Sequence, residues 1–193
     1  MGTLTYLIIA LCVVWTISEV FYALRKHSKG SSHSTGWLNP LLMYVAVPSS
    51  GALAVVLKVA PATGALGKVM ILSPSIGYIG CALIAFGLVF RWVAVATLGE
   101  FFTVDGAFMP DHRIIDKGLY GVVRHPSYLG ALLMDVGFGL ALENWLSLVV
   151  MLLFPAMAQL YRISVEEKAL LGHFGSAYRD YMRRTKKLIP GIF

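Results

Sequence analysis

The sequence predicts an all-α integral membrane protein, and three observations carry that prediction. Hydrophobic residues make up 58% of the 193 positions and charged residues only 13%, about half of the roughly 25% usual in soluble domains. The apolar residues fall in long blocks, and about 20 consecutive apolar residues span a bilayer core. The basic residues gather almost entirely on one side of those blocks. So few charges cannot cover the surface of a soluble fold, which excludes an ordinary soluble enzyme and a disordered chain.

Five hydrophobic segments follow in order. The first runs from Thr3 to Leu24, interrupted only by Glu19. Its start lacks a basic n-region and its apolar run exceeds a signal-peptide core, so a retained helix is expected. Glu19 lies near a boundary and is expected to snorkel toward water. The second segment is Trp37 to Ala60 and the third Ile76 to Leu98, with Arg91 toward its far end. The fourth, Tyr128 to Leu142, is short for an independent span. After the polar pair Glu143-Asn144 comes the fifth, Trp145 to Tyr161. Segments four and five therefore read as a tight helical hairpin, with Pro155 expected to kink the second arm.

The tail reads as an amphipathic helix, because Leu170, Leu171, Phe174, Tyr178 and Tyr181 recur at helical spacing. Ser164-x-x-Glu167 fits a capping box that would start it afresh at the membrane surface. The chain is thus expected to be one domain over residues 1–193. Residues 1–98 would hold three transmembrane helices, and residues 99–193 the polar half with its hairpin and terminal helix.

Five crossings put the Arg25–Gly36 loop, the Leu98–Ser127 loop and the tail on one side. That side then holds 14 of the 16 Lys+Arg, leaving Lys58 and Lys68 opposite. The positive-inside rule makes this N-outside and C-cytosolic, and the expected location is the cell membrane of a prokaryote. The net charge of +6 belongs to that bias, and no nucleic-acid partner is expected. Arg183, Arg184, Lys186 and Lys187 are expected to meet anionic lipid headgroups. Cys12 and Cys81 lie inside apolar blocks without ligand-like spacing, and the histidines form no HxxxH pair, so no metal site is expected.

The chemistry concentrates on the inner side. No GxGxxG, Walker or GxSxG sequence is present. The strongest local signal is the run from Gly118 to Gly130. Pro126 suits the first turn of a helix, with His125 just outside it. That turn's unpaired N–H groups, with Arg124 beside them, make an anion site, although a His-Pro at a helix start can also be purely structural. Arg162 and Glu166 stand at i, i+4 and share a helix face, either as a surface ion pair or with Glu166 accepting ribose hydroxyls. His112 with Ile114-Ile115 is a weaker signal. Asp135 is costly at membrane depth and should face protein or water, as a substrate contact or a buried helix–helix hydrogen bond, the second being favoured.

The block from His112 to Gly130, followed by Arg162 to Phe193, resembles the isoprenylcysteine carboxyl methyltransferases. The resemblance rests on His112-Arg-Ile-Ile115, Gly118-Leu-Tyr120, Arg124-His-Pro-Ser-Tyr128-x-Gly130, Glu166-Glu167, Phe174-Gly175-x-x-Tyr178-x-x-Tyr181 and Leu188-Ile-Pro190. It implies a membrane methyltransferase that uses S-adenosyl-L-methionine without a Rossmann domain. By that resemblance His112, Ile115, Tyr120, His125, Pro126, Ser127, Tyr128, Arg162 and Glu166 would contact the cofactor. Arg124, Arg162 and Glu167 would serve the methyl acceptor, a prenylated cysteine carboxylate or similar lipophilic group arriving from the membrane. The same half also resembles phospholipid N-methyltransferases and sterol-type NADPH-dependent reductases, and a non-catalytic multi-pass binding protein is a further alternative.

Overall fold

A computed structural model describes residues 2–25, 45, 47–59, 73–102 and 113–191. Six α-helices are found among them: α1 (Thr3–Arg25), α2 (Val47–Val59), α3 (Pro74–Leu98), α4 (Pro126–Ala141), α5 (Trp145–Phe174) and α6 (Ser176–Arg184). Short 3-10 turns cover Gly99–Phe101 and Gly118–Gly121. Among the described residues β structure is limited to an isolated parallel bridge between Val123 and Lys186. Among the described residues the chain is all-helical, and it is an integral membrane protein. Among the described residues three helices are long and apolar enough to cross a bilayer, namely Thr3–Arg25, Ser75–Phe101 and Trp145–Phe174, and two shorter apolar helices are Val47–Lys58 and Pro126–Ala141. Residues 37–44 of the expected second segment lie outside the described residues.

Backbone chemistry sets the helix starts. Proline opens α3 and α4, where its missing N–H costs nothing. The side chain of Asn144 caps α5 by accepting from the Ser147 N–H at 3.0 Å. The three residues between α4 and α5, with Glu143 at φ 55°, close the expected hairpin.

The densest packing joins α3 to α4. A Cβ added at Gly87 would stand 2.7 Å from the Gly130 carbonyl oxygen, and one at Gly137 2.8 Å from the Gly80 oxygen. Glycines seven residues apart on each helix therefore let the two backbones touch, as small residues do between membrane helices. Ile84, Leu88 and Met134 fill the seam, and Leu4, Leu11 and Trp15 of α1 lie over it. α1 itself buries no residue fully and leaves Ile9, Val13, Ile17 and Val20 exposed, a face suited to lipid. α2 packs on α5, where Ser147 Oγ donates to the Ala54 carbonyl at 2.7 Å.

Two expectations are corrected. The tail helix does not start at Ser164: α5 runs unbroken from Trp145 to Phe174. Ser164 Oγ instead donates back to the Leu160 carbonyl at 2.8 Å, a bond available to serine inside a helix. The break falls at Gly175, whose φ of 56° ends α5 and turns the chain into α6. Glu19 does not reach for water alone, because Arg91 Nε and Nη2 donate to its two oxygens at 2.6 and 2.8 Å. The terminal basic residues also pair within the protein, with Arg183 and Arg184 remaining largely exposed. Lys187 Nζ lies 3.5 Å from Glu167, Arg184 pairs with Asp116 and Arg183 with Asp180.

Candidate functional site

Thirty residues of helix extend about 45 Å, well beyond a hydrocarbon core of about 30 Å. The length of α5 therefore carries Arg162, Glu166 and Phe174 out of the bilayer end of the bundle. There α6 folds back through Tyr178 and Tyr181, both buried. The Tyr181 hydroxyl donates to the Tyr120 carbonyl at 2.7 Å, which fastens α6 to the loop before α4.

The segment after α6 then docks along residues 122–125. Arg124 N–H donates to the Lys186 carbonyl at 2.8 Å, His125 N–H to Lys187 at 3.2 Å, and Lys186 N–H returns to Val122 at 3.0 Å. Beneath this seam lies a buried charge cluster. Arg124 Nε donates to Glu167 Oε1 at 2.8 Å, and Arg124 Nη1 to the Met182 and Thr185 carbonyls. His125 Nε2 is 3.3 Å from the same Glu167 oxygen. A carboxylate can only accept, so Nε2 is the protonated ring nitrogen in this arrangement.

A cavity of about 590 Å³ opens beside this cluster. Of the residues expected from the sequence, Ile115, Tyr120, Arg124 and His125 line it, as do Ser127, Tyr128, Arg162 and Glu166. Pro126 is buried behind the wall, setting the first turn of α4. Glu167 does not line the cavity either, being committed to Arg124, His125 and Lys187. His112 lies outside the described residues. The i, i+4 pair does share a face: Glu166 Oε2 accepts the Tyr128 hydroxyl at 2.8 Å, and the Arg162 guanidinium stands 5.7 Å from the centre of the Tyr128 ring.

Several lining groups were not singled out as site residues by the sequence. Arg113 and Tyr178 join the polar end, and Gln159 lies deeper. Arg113 and Tyr178 carried a signal as members of the quoted motifs, the tyrosine also in the apolar stripe, whereas Gln159 carried none. The Tyr178 hydroxyl is buried with no hydrogen-bond partner among the described residues. Burial, and then the carboxylates of Glu167 and Glu166, push its phenol well above the ordinary tyrosine value, so it remains a neutral donor. Burial likewise raises Tyr120. The cavity continues between the helices, where Trp15 and Val20 of α1, Val47 of α2, Phe138 of α4 and Met151 of α5 form an apolar wall. One continuous space thus has a polar end at the tail and an apolar end among membrane helices.

The profile of the isoprenylcysteine carboxyl methyltransferase (ICMT) family matches residues 79–172, which include most of α3, all of α4 and nearly all of α5. The chain is 36% identical over 114 residues to the protein-S-isoprenylcysteine O-methyltransferase of Saccharomyces cerevisiae, covering 58% of this chain and 48% of that one. It is 34% identical over 111 residues to that of Dictyostelium discoideum, covering 56% and 47%. The chain therefore spans about half the length of the curated relatives it matches. Among solved structures, the eukaryotic intramembrane Ras methyltransferase ICMT superposes with a TM-score of 0.58 at 27% identity, over 80% of this chain and 52% of that one. The matched segment supplies most of the tight α3–α4 seam and much of the cavity wall, and over those residues the chain is similar to the isoprenylcysteine carboxyl methyltransferase family.

Proposed function

We propose that the protein is a membrane methyltransferase that takes its methyl group from S-adenosyl-L-methionine and places it on the carboxylate of a prenylated cysteine or a similar lipophilic acceptor. The observation that carries this reading is a continuous cavity with one polar and one apolar end. A water-soluble cofactor and a lipid-soluble acceptor need that arrangement, since each must reach the same point from a different phase. The curated relatives bear the name of this activity.

The residues present fit the cofactor. The Tyr178 hydroxyl, without a hydrogen-bond partner among the described residues, offers a donor to an incoming ligand. Glu166 offers an acceptor that suits ribose hydroxyls, and Leu170 and Phe174 an apolar surface that suits a purine. Arg113 and the first turn of α4 suit a carboxylate. When bound, S-adenosyl-L-methionine supplies an electrophilic methyl group on a sulfonium sulfur. Arg162 orients the acceptor carboxylate through charge-assisted hydrogen bonds. The apolar wall of α1, α4 and α5 excludes water and strips hydration from that carboxylate, while in-line positioning lowers the remaining barrier. Glu167 holds His125 and Arg124 in place and so acts as a positioning residue.

In this reading the two shorter apolar helices also cross the bilayer, giving five spans with the tail on the cytosolic side. The exposed Arg183 and Arg184 then lie beside anionic headgroups. A prenyl chain gains about 0.8 kcal/mol per buried methylene in the bilayer, so the acceptor concentrates there and reaches the cavity sideways between helices.

The test uses purified protein in nanodiscs. Calorimetry is expected to show binding of S-adenosylhomocysteine and none of NADPH. Methyl transfer is expected to farnesylated cysteine and not to the same cysteine without lipid. NADPH binding would overturn the cofactor assignment. Equal efficiency on both cysteines would overturn lateral access.

A further inference from the structure

Between the two ends of the cavity sits a polar pair that the methyl-transfer reading does not use. Asp135 on α4 is 1% exposed and Gln159 on α5 is 4% exposed. The Gln159 amide donates to Asp135 Oδ2 at 3.0 Å, the helix–helix hydrogen bond favoured from the sequence. That bond leaves two acceptors over. Asp135 Oδ1 and Gln159 Oε1 are buried and have no hydrogen-bond partner among the described residues, and both side chains line the cavity. No hydrogen bond from the nearby Arg91 reaches them, since its bonds among the described residues go to Glu19 and the Ser127 carbonyl.

Buried acceptors without donors are costly, and ionisable groups at membrane depth are rarer still unless they serve a ligand. If the pair only tied α4 to α5, one donor and one acceptor would suffice. The surplus includes two buried acceptors, Asp135 Oδ1 and Gln159 Oε1, beside the second N–H of the Gln159 amide, and it faces a space large enough for a ligand. Asp135 lies seven residues along α4 from Tyr128, which at 1.5 Å per residue is about 10 Å deeper. A plain isoprenoid chain passing that point would seal both oxygens from water and offer them nothing.

We propose that Asp135 and Gln159 form a recognition subsite that takes a hydroxyl or amine carried part-way along the apolar body of the acceptor. The inference rests on the reading that a lipophilic ligand occupies this cavity, and it narrows the acceptor to one bearing a hydrogen-bond donor within its chain. A site built to hydrogen-bond a ligand hydroxyl strongly rejects the analogue that lacks it, because its own polar groups are then stranded.

The experiment compares three probes on the full-length protein in nanodiscs, corrected for partition into empty nanodiscs. These are S-farnesylcysteine and its analogues with a hydroxyl or a primary amine on the second isoprene unit. The wild type is expected to bind at least one analogue about tenfold or more tighter than the parent. Asp135→Asn should abolish a preference for the amine and retain one for the hydroxyl, which tells the two donors apart. The Asp135→Leu, Gln159→Leu double variant should favour the parent compound while keeping its affinity for S-adenosylhomocysteine. Equal or weaker binding of both analogues by the wild type overturns the proposal, as does a preference that survives in the double variant. If the double variant does not fold, the wild-type and Asp135→Asn comparisons still decide. Absence of S-adenosylhomocysteine binding would instead count against the proposed function, since the probe comparison is made with and without it.

Discussion

Removing the carboxylate of Glu167 should open the seam between the C-terminal segment and the loop before α4. Glu167 accepts from Arg124 at 2.8 Å and His125 at 3.3 Å and faces Lys187 at 3.5 Å, with the Arg124 and Glu167 side chains only 7% and 9% exposed. Deleting one partner of a buried ion pair costs roughly 3–5 kcal/mol. Arg124 keeps its two carbonyl acceptors and Lys187, 26% exposed, can turn to water, so the lower end applies. About 3 kcal/mol corresponds to roughly a hundredfold in an opening equilibrium. The loss should appear locally, because the cluster ties the tail to a loop and not to the α3–α4 core. In Glu167→Ala, amide hydrogen exchange should therefore quicken by about that factor at Arg124, His125 and Lys186, the three donors across the seam. Glu167→Gln should show a smaller effect, since its amide oxygen still accepts from Arg124. Unchanged exchange at those three amides in a folded Glu167→Ala protein would refute the reasoning. A fall in kcat with unchanged exchange in Glu167→Gln would make the residue catalytic and not positioning.

Three other outcomes are expected. Glu166→Gln should weaken S-adenosylhomocysteine binding by about ten- to a hundredfold, from loss of a charge-assisted acceptor worth roughly 1.5–3 kcal/mol; unchanged calorimetric affinity would leave Glu166 as a partner for Tyr128 alone. Gly87→Ala should lower the melting temperature in micelles, overpacking costing about 1–3 kcal/mol, whereas Gly51→Ala, with nothing within 4 Å of the added Cβ, should not; equal effects would deny the close approach of α3 and α4. Burial raises the phenols of Tyr120, Tyr178 and Tyr181, so above pH 10, the ordinary tyrosine value, the unfolded chain releases protons that the folded protein retains. Stability should then fall as pH rises past about 10, by up to about 1.4 kcal/mol per pH unit for each tyrosine. Tyr181→Phe should flatten that fall, and an unchanged slope would count against its burial.

Much of the fold was legible because it depends on neighbours in sequence. Apolar blocks of span length, proline at the start of α4 and the polar break at Glu143-Asn144 act within one or two turns. The pairing of α4 with α5 followed from the short link between them. Arg162 and Glu166 could be placed on one face from their spacing alone, and both prove to line the cavity. The sequence misled where hydrophobicity and helicity part company. Apolar content fades after Tyr161, yet backbone hydrogen bonds carry the same helix to Phe174, and Ser164 serves inside it and not as a cap.

What the sequence by itself determined is thus the material of the protein: membrane helices, their order, and a polar half rich in Arg, His, Glu and Tyr. Only the tertiary structure decided which of those groups face the cavity and which hold it together. Glu166 and Glu167 are adjacent and chemically alike, but successive residues on a helix point about 100° apart. One therefore reaches the cavity and Tyr128, and the other turns to Arg124 and His125. Glu19 and Arg91 are 72 positions apart, and Arg124 and Thr185 are 61 apart. No local pattern encodes such meetings. They arise because close packing leaves each buried charge few places to find a partner, and burial makes the absence of one too costly to persist.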